Sequence, residues 1–331
     1  MSNDRTHADD FAPNRIMRQP LMQSVLSGTK LRRTLIKRRN QPLLHANEDV
    51  LLDCGDGVRL LGHYSRADGE ERGLATLIHG WEGSSESNYI LSLAGRLYRR
   101  GYSVFRLNLR DHGPTHHLNA ELFNSMRLDE VLGAMDDIQQ RLKPRRHFLA
   151  GFSLGGNFSL RVAADRAGHA FNLDHVIAVC PVIDPPGTML SIEEGRHIYQ
   201  AYFVRKWKRS LSKKIELFPE YDLKHMIADL NTLREMHHYF VPNFTDFDTT
   251  DDYLDAYSLC GDRLKNLSTP ATLITSEDDP IIPLDDLNRV NKPPALSVEI
   301  TRYGGHCGYL ENLHLDSWVD KRIEQILAQY D

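Results

Sequence analysis

The chain has 331 residues, of which 41% are hydrophobic and 26% charged, a globular balance that excludes a fibrous or disordered protein. A formal net charge of −5 argues against general nucleic-acid binding. Four cysteines, Cys54, Cys180, Cys260 and Cys307, form no CxxC pair; reduced and mostly buried thiols in a cytoplasmic protein are expected, rather than a disulfide framework or a zinc site.

Residues 1–47 are rich in charge and amide groups and read as an irregular N-terminal arm or strap. Their opening, MSNDRTHADD, is polar with no apolar run behind it, unlike a secretory signal. No stretch of the chain approaches the ~18 consecutive apolar residues of a spanning helix. Lys30, Arg32, Arg33, Lys37, Arg38 and Arg39 crowd around Leu31, Leu35 and Ile36. That segment reads as a solvated helix or strap on the main domain; peripheral contact with an anionic membrane surface is the alternative.

From residue 49 the pattern becomes regular. Two short runs, 49–53 and 58–64, flank Cys54-Gly55-Asp56-Gly57, whose Asp-Gly predicts a hairpin. Apolar runs follow at 74–78, 102–107, 147–150, 175–180, 271–275 and 296–300, separated by stretches of helical spacing. One of these holds Leu128, Val131, Leu132, Met135, Ile138 and Leu142; the terminal one holds Leu315, Val319, Ile323 and Ile326. Strands separated by helices return by crossovers, so they predict a mostly parallel, doubly wound sheet of the α/β class.

The alternation stops at 187–268, which reads as a helical lid inserted into a core of 48–186 and 269–331. In that insertion Tyr199, Phe203, Trp207, Leu211 and Ile215 recur every four residues, with a second set of basic residues at 205–214. The aromatic stripe reads as packing.

The strongest chemical signal is Gly151-Phe152-Ser153-Leu154-Gly155, between a predicted strand and a predicted helix. A serine hydroxyl is a weak nucleophile unless held exposed beside a base. A sharp strand-to-helix turn holds it so, and brings backbone close enough to want glycine two residues to either side. Tyr303-Gly304-Gly305-His306 after the last strand offers a base, and Ser276-Glu277-Asp278-Asp279 after the preceding strand offers an orienting acid. Asp279 is preferred as that acid; Asp278 and then Asp184, just past the 175–180 run, are alternatives. The order Ser, Asp, His is the one a serine hydrolase on this sheet requires.

His79-Gly80-Trp81 follows the strand at 74–78. The backbone N–H groups of Trp81 and Leu154 are the expected oxyanion donors, with His79 a structural hydrogen-bonding residue. The pairs His116-His117 and His237-His238 lack the i, i+4 spacing and carboxylate partner of a zinc site and read as solvated loop histidines.

Together these residues resemble the alpha/beta-hydrolase superfamily and, within it, the YheT-like branch that also holds medium-chain ethyl-ester synthase/esterases. The resemblance spans Gln19-Pro20-Leu21-Met22-Gln23-Ser24, the segment from His79 to Ser87, the Ser153 motif through Asn157, Phe247-Asp248, Asp252-Tyr253, Asp278-Asp279-Pro280 and Gly304-Gly305-His306. It implies the alpha/beta-hydrolase fold and hydrolysis of a small-molecule carboxylic ester through Ser153, Asp279 and His306, with no cofactor and no metal. The branch usually has leucine where this chain has Trp81, which bears on the shape of the acyl pocket. An alcohol O-acyltransferase sharing the acyl-enzyme, and a non-catalytic scaffold on the same fold, are the alternatives.

Overall fold

The computed structural model describes residues 5–7 and 11–331; the remainder of the polar opening, 1–4 and 8–10, lies outside the described residues. The strands are β1 (Arg5–His7), β2 (Asn47–Asp53), β3 (Arg59–Ser65), β4 (Gly73–Ile78), β5 (Tyr102–Leu107), β6 (His147–Phe152), β7 (His175–Val179), β8 (Ala271–Ser276) and β9 (Leu296–Thr301). They form one sheet in the order β1-β9-β8-β7-β6-β4-β5-β3-β2. Among these strands only the β2–β3 and β3–β5 pairings are antiparallel; from β5 through β4, β6, β7 and β8 to β9 every pairing is parallel. The predicted hairpin is β2–β3, turned by Gly55, Asp56 and Gly57, all at positive φ.

Strands β4 to β8 are buried at every residue, which is why they read as unbroken apolar runs: both faces of a parallel sheet are covered. The helices are α1 (Pro20–Ser27), α2 (Lys30–Arg39), α3 (Gln41–His45), α4 (Asn88–Tyr98), α5 (Leu128–Leu142), α6 (Leu154–Ala164), α7 (Pro185–Glu194), α8 (His197–Leu217), α9 (Lys224–Asp229), α10 (Leu233–Phe244), α11 (Thr250–Ala256) and α12 (Trp318–Leu327). On one face, Ile90, Leu93 and Leu97 of α4 pack with Val319, Ile323 and Ile326 of α12 against Leu77, Val104 and Val179. On the other, Val131, Met135 and Ile138 of α5 and Phe158 and Val162 of α6 pack against Ile78, Leu149 and Val176. The expected stripe on α12 begins later than its sequence suggests, because Leu315 sits at φ 60 in the loop before the helix.

The N-terminal segment is not irregular. Pro20 opens α1 at its first turn, and the Thr29 side chain caps α2 by accepting the Arg32 N–H, both ordinary helix starts that composition alone conceals. The two helices lie on α4: Asn88 Nδ2 donates to the carbonyls of Ser27 and Thr29, and Asn40 Nδ2 to that of Leu91. Gly95 of α4 makes room for the fit, since a Cβ there would fall 2.0 Å from the Asn40 side chain. Helices α7 to α11 all fall between β7 and β8, and their apolar residues, among them Leu211, Met236 and Phe240, join the α5–α6 core.

Candidate active site

Ser153 occupies the single residue between β6 and α6, at φ 54 and ψ −121. Such backbone costs about 1–3 kcal/mol and persists only where its surroundings fix it. Here the Ser153 N–H donates to the Val179 carbonyl (2.8 Å) and the Asn157 N–H donates to the Ser153 carbonyl (3.1 Å). The flanking glycines are steric requirements. A Cβ on Gly151 would sit 2.0 Å from the Gly155 carbonyl oxygen, and one on Gly155 would sit 2.4 Å from those of Ile78 and His79.

His306 lies in the loop between β9 and α12 and brings Nε2 to 2.9 Å from Ser153 Oγ. Its Nδ1 is 2.9 Å from Asp279 Oδ2 and 3.2 Å from Oδ1. The Asp279 side chain has no exposure, and its Oδ1 also accepts the N–H groups of Ile281 (2.9 Å) and Ile282 (3.0 Å). A carboxylate only accepts, so in the neutral ring the His306 proton is on Nδ1 and the Nε2 lone pair faces the serine hydroxyl. Burial acts to lower the His306 pKa; the Asp279 charge, with the Cys307 thiol beside it, outweighs burial and holds it well above its ordinary 6.5.

The two rival acids are placed elsewhere. Asp278 Oδ1 accepts the Gly305 N–H at 2.8 Å, and so shapes the histidine loop from behind. Asp184 pairs with Arg289 at the start of α7.

A further support comes from the N-terminal helices. Gln23 of α1 is wholly buried. Its Nε2 donates to the carbonyls of Met17 (2.6 Å) and Leu310 (3.0 Å), and its Oε1 accepts the Leu310 N–H (2.6 Å). Ser24 Oγ accepts the His306 N–H at 3.2 Å. The histidine loop packs so closely on α1 that a Cβ on Gly308 would fall 2.6 Å from the Gln23 carbonyl oxygen. The sequence assigned Gln23 and Ser24 no individual role; their place in the segment 19–24 that carries the family resemblance was the signal for them.

Of the expected oxyanion donors, Leu154 directly follows Ser153, and Trp81 follows Gly80, on which a Cβ would fall 3.0 Å from Ser153 Cβ. Leu154 opens α6, where an N–H has no carbonyl one turn back. Neither its N–H nor that of Trp81 has a hydrogen-bond partner among the described residues. The carbonyl of Gly80, in the peptide that carries the Trp81 N–H, lies 2.8 Å from His79 Nδ1 and accepts the Gly83 N–H at 2.9 Å. With Leu109 N–H donating to His79 Nε2, the His79 proton is on Nδ1. Burial, then neighbouring His112, holds this imidazole far below its ordinary pKa, so His79 is a neutral brace rather than a base.

The sequence matches the family described as "Serine aminopeptidase, S33" over residues 69–301. The chain belongs to that family. It is thereby an alpha/beta hydrolase, in the YheT-like branch of the superfamily. YheT of Escherichia coli is 23% identical over 290 residues, covering 84% of this chain and 83% of that protein. Medium-chain fatty acid ethyl ester synthase/esterase 2 of Saccharomyces cerevisiae is 23% identical over 293 residues, covering 78% of this chain and 62% of that protein. Among solved structures, the Pyrococcus furiosus esterase Pf2001 superimposes with a TM-score of 0.56 at 14% identity, covering 86% of this chain and 92% of that one, a likeness of fold.

In this hydrolase Ser153 opens into an apolar cavity of about 120 Å³ between the sheet and helices α7, α8, α10 and α11. Phe203 and Trp207 of α8 line it, so the aromatic stripe read as packing serves a second purpose. Trp81 stacks on Phe203 at 5.4 Å and meets Trp207 edge-on at 5.3 Å, which ties the loop after β4 to α8. The histidine pairs are not solvated loops throughout. His237 lies on α10 and lines the cavity against Trp207, and His116 is buried with Nε2 2.9 Å from Ser210 Oγ, its pKa lowered to about 4 by burial and then by Lys213. Only His117 matches the expectation of an exposed loop residue.

The four cysteines are free, three of them buried. Cys180 and Cys307 place their thiols beside the His306 ring, with the ligand atoms of the three residues within 4.8 Å of one another. No helix among the described residues is long and apolar enough to cross a membrane.

Proposed function

We propose that this alpha/beta hydrolase cleaves carboxylic esters of short to medium acyl chain through an acyl-enzyme on Ser153. The observation that carries the reading is the hydrogen-bonded chain Ser153–His306–Asp279, ending in an apolar cavity. His306 Nε2 takes the Ser153 proton as Oγ attacks the ester carbonyl, while Asp279 holds the ring and stabilises its imidazolium. The N–H groups of Trp81 and Leu154 receive the oxyanion, a contribution of about 3–4 kcal/mol per donor in comparable sites. The alcohol leaves with the proton from His306, and water then repeats the cycle to release the acid.

Residues 187–268 act as a lid in this reading, with 48–186 and 269–331 as the hydrolase core and 1–47 as a strap. The apolar side chains of the lid and its aromatic contact with Trp81 suit an acyl chain and exclude water from it. The test is steady-state turnover of p-nitrophenyl esters from acetate to dodecanoate by wild type and Ser153→Ala. Turnover that peaks at short or medium length and vanishes in the variant supports the proposal. A folded wild type that cleaves no ester, or a variant that retains activity, overturns it.

A further inference from the structure

The two basic segments of the sequence, far apart along the chain, meet in space. Arg33 of α2 and Lys206, Arg209 and Lys213 of α8 line one polar cleft of about 420 Å³. The three cations of α8 are spaced three and four residues apart and so share a helix face, where like charges repel. Three acids also line the cleft, Glu82, Glu86 and Asp111. Two of them are matched by cations outside its wall, Glu86 by Arg106 (2.8 Å) and Lys37 (3.2 Å) and Asp111 by Lys214 (2.8 Å); Glu86 also lies 3.8 Å from Arg33 of the cleft itself. Burial pushes the Glu82 carboxyl up to about 7 despite nearby Lys206, which weakens its charge at neutral pH. The lining imidazoles of His112 and His116 are held at about 4, chiefly by burial, and add no charge. Arg209 and Lys213 are exposed and form no salt bridge within 4 Å among the described residues, although the Lys213 charge is felt at Glu82. The cleft therefore keeps a surplus of positive charge.

This cleft adjoins the apolar cavity: Glu82, Asp111, His112 and Ser210 line both. An apolar chamber at the nucleophile and a cationic chamber beside it match the two ends of an amphiphile. We propose that the cleft seats a phosphate-like anion carried on the alcohol portion of the substrate, so that the preferred substrates are esters of phosphate-bearing alcohols with the acyl chain in the apolar cavity. The inference rests on the ester-hydrolysis reading and adds no chemical step to it. The acyl C–O bond breaks, the phosphate-bearing alcohol leaves with the proton from His306, and water supplies the hydroxyl of the released acid.

The test compares two octanoyl esters, neutral monooctanoylglycerol and anionic octanoylglycerol 3-phosphate, on wild type and on Arg209→Glu/Lys213→Glu. Fluorophosphonate labelling of Ser153 reports that the variant is folded. The expected result is a wild-type preference in kcat/KM for the anionic ester, a preference that falls roughly tenfold or more in the variant and also falls with added salt. Inorganic phosphate should compete with the anionic ester in the wild type. An unmoved preference ratio in a labelled variant overturns the cleft assignment alone. So does a free-anion effect, in which inorganic phosphate alters turnover of the neutral ester and the anionic ester holds no advantage. A wild type that cleaves neither ester overturns the ester reading beneath it.

Discussion

Substituting each of the two adjacent aspartates separately tests how the acid acts. In Asp279→Asn the amide oxygen is held by the N–H groups of Ile281 and Ile282, which need an acceptor. The amide NH2 then faces His306 Nδ1, where Asp279 Oδ2 stood at 2.9 Å. A donor at that position forces Nδ1 to accept, which moves the ring proton to Nε2 and turns it toward Ser153 Oγ as a donor. The base is lost while the packing and two backbone hydrogen bonds survive. The equivalent change in a serine protease lowers kcat about 10,000-fold, or ~5.5 kcal/mol in the barrier, and the same loss is expected here. Asp278→Asn leaves the His306–Asp279 contact alone. Its Oδ1 still accepts the Gly305 N–H, and kcat is expected to stay within about tenfold of wild type. The assay is kcat on p-nitrophenyl butyrate, with thermal unfolding to show that both variants fold. Equal losses in the two variants, or an Asp279→Asn enzyme above a tenth of wild-type kcat, would refute the tautomer argument.

Activity should fall toward acid with a midpoint above 6.5, because the raised His306 pKa keeps the ring protonated, and useless as a base, at higher pH than free imidazole. A kcat/KM–pH profile with its acid limb below 6.5 would contradict this. Gln23→Ala removes three buried hydrogen bonds from the support of the histidine loop. It should lower stability by about 2–4 kcal/mol and lower kcat more than it raises KM; a folded variant with unchanged kcat would remove α1 from the account. Lys214→Met strands the buried Asp111 carboxylate and frees the carbonyls of Asn119 and Glu121. Urea unfolding should show a loss of about 3–5 kcal/mol, and a change under 1 kcal/mol would mean that water replaces the ammonium there.

The parts of this protein that obey local rules were legible in the sequence. Strand β5 falls on the predicted 102–107 run, and the glycines around Ser153 announce a turn that tolerates no Cβ. Legible too was the chain order that brings Ser153, Asp279 and His306 together, since each follows a strand and parallel strands end on one side of the sheet. What escaped depends on contacts between distant segments. Helices α1 and α2 look like a charged tail because their partners, Leu91, Leu310 and the His306 loop, lie dozens to hundreds of residues away. His237 and Phe203 read as surface or packing residues because a cavity wall has the same periodicity as a core. The brief strand β1 carries three residues, too few for any alternation to show.

Whether Ser153 is an activated nucleophile is measured most directly by reaction with a fluorophosphonate probe followed by mass spectrometry of the modified peptide. One adduct, on Ser153, should form with the wild type, form more slowly in His306→Ala and be absent in Ser153→Ala. A folded wild type that takes no adduct, or one modified at another residue, would contradict that role.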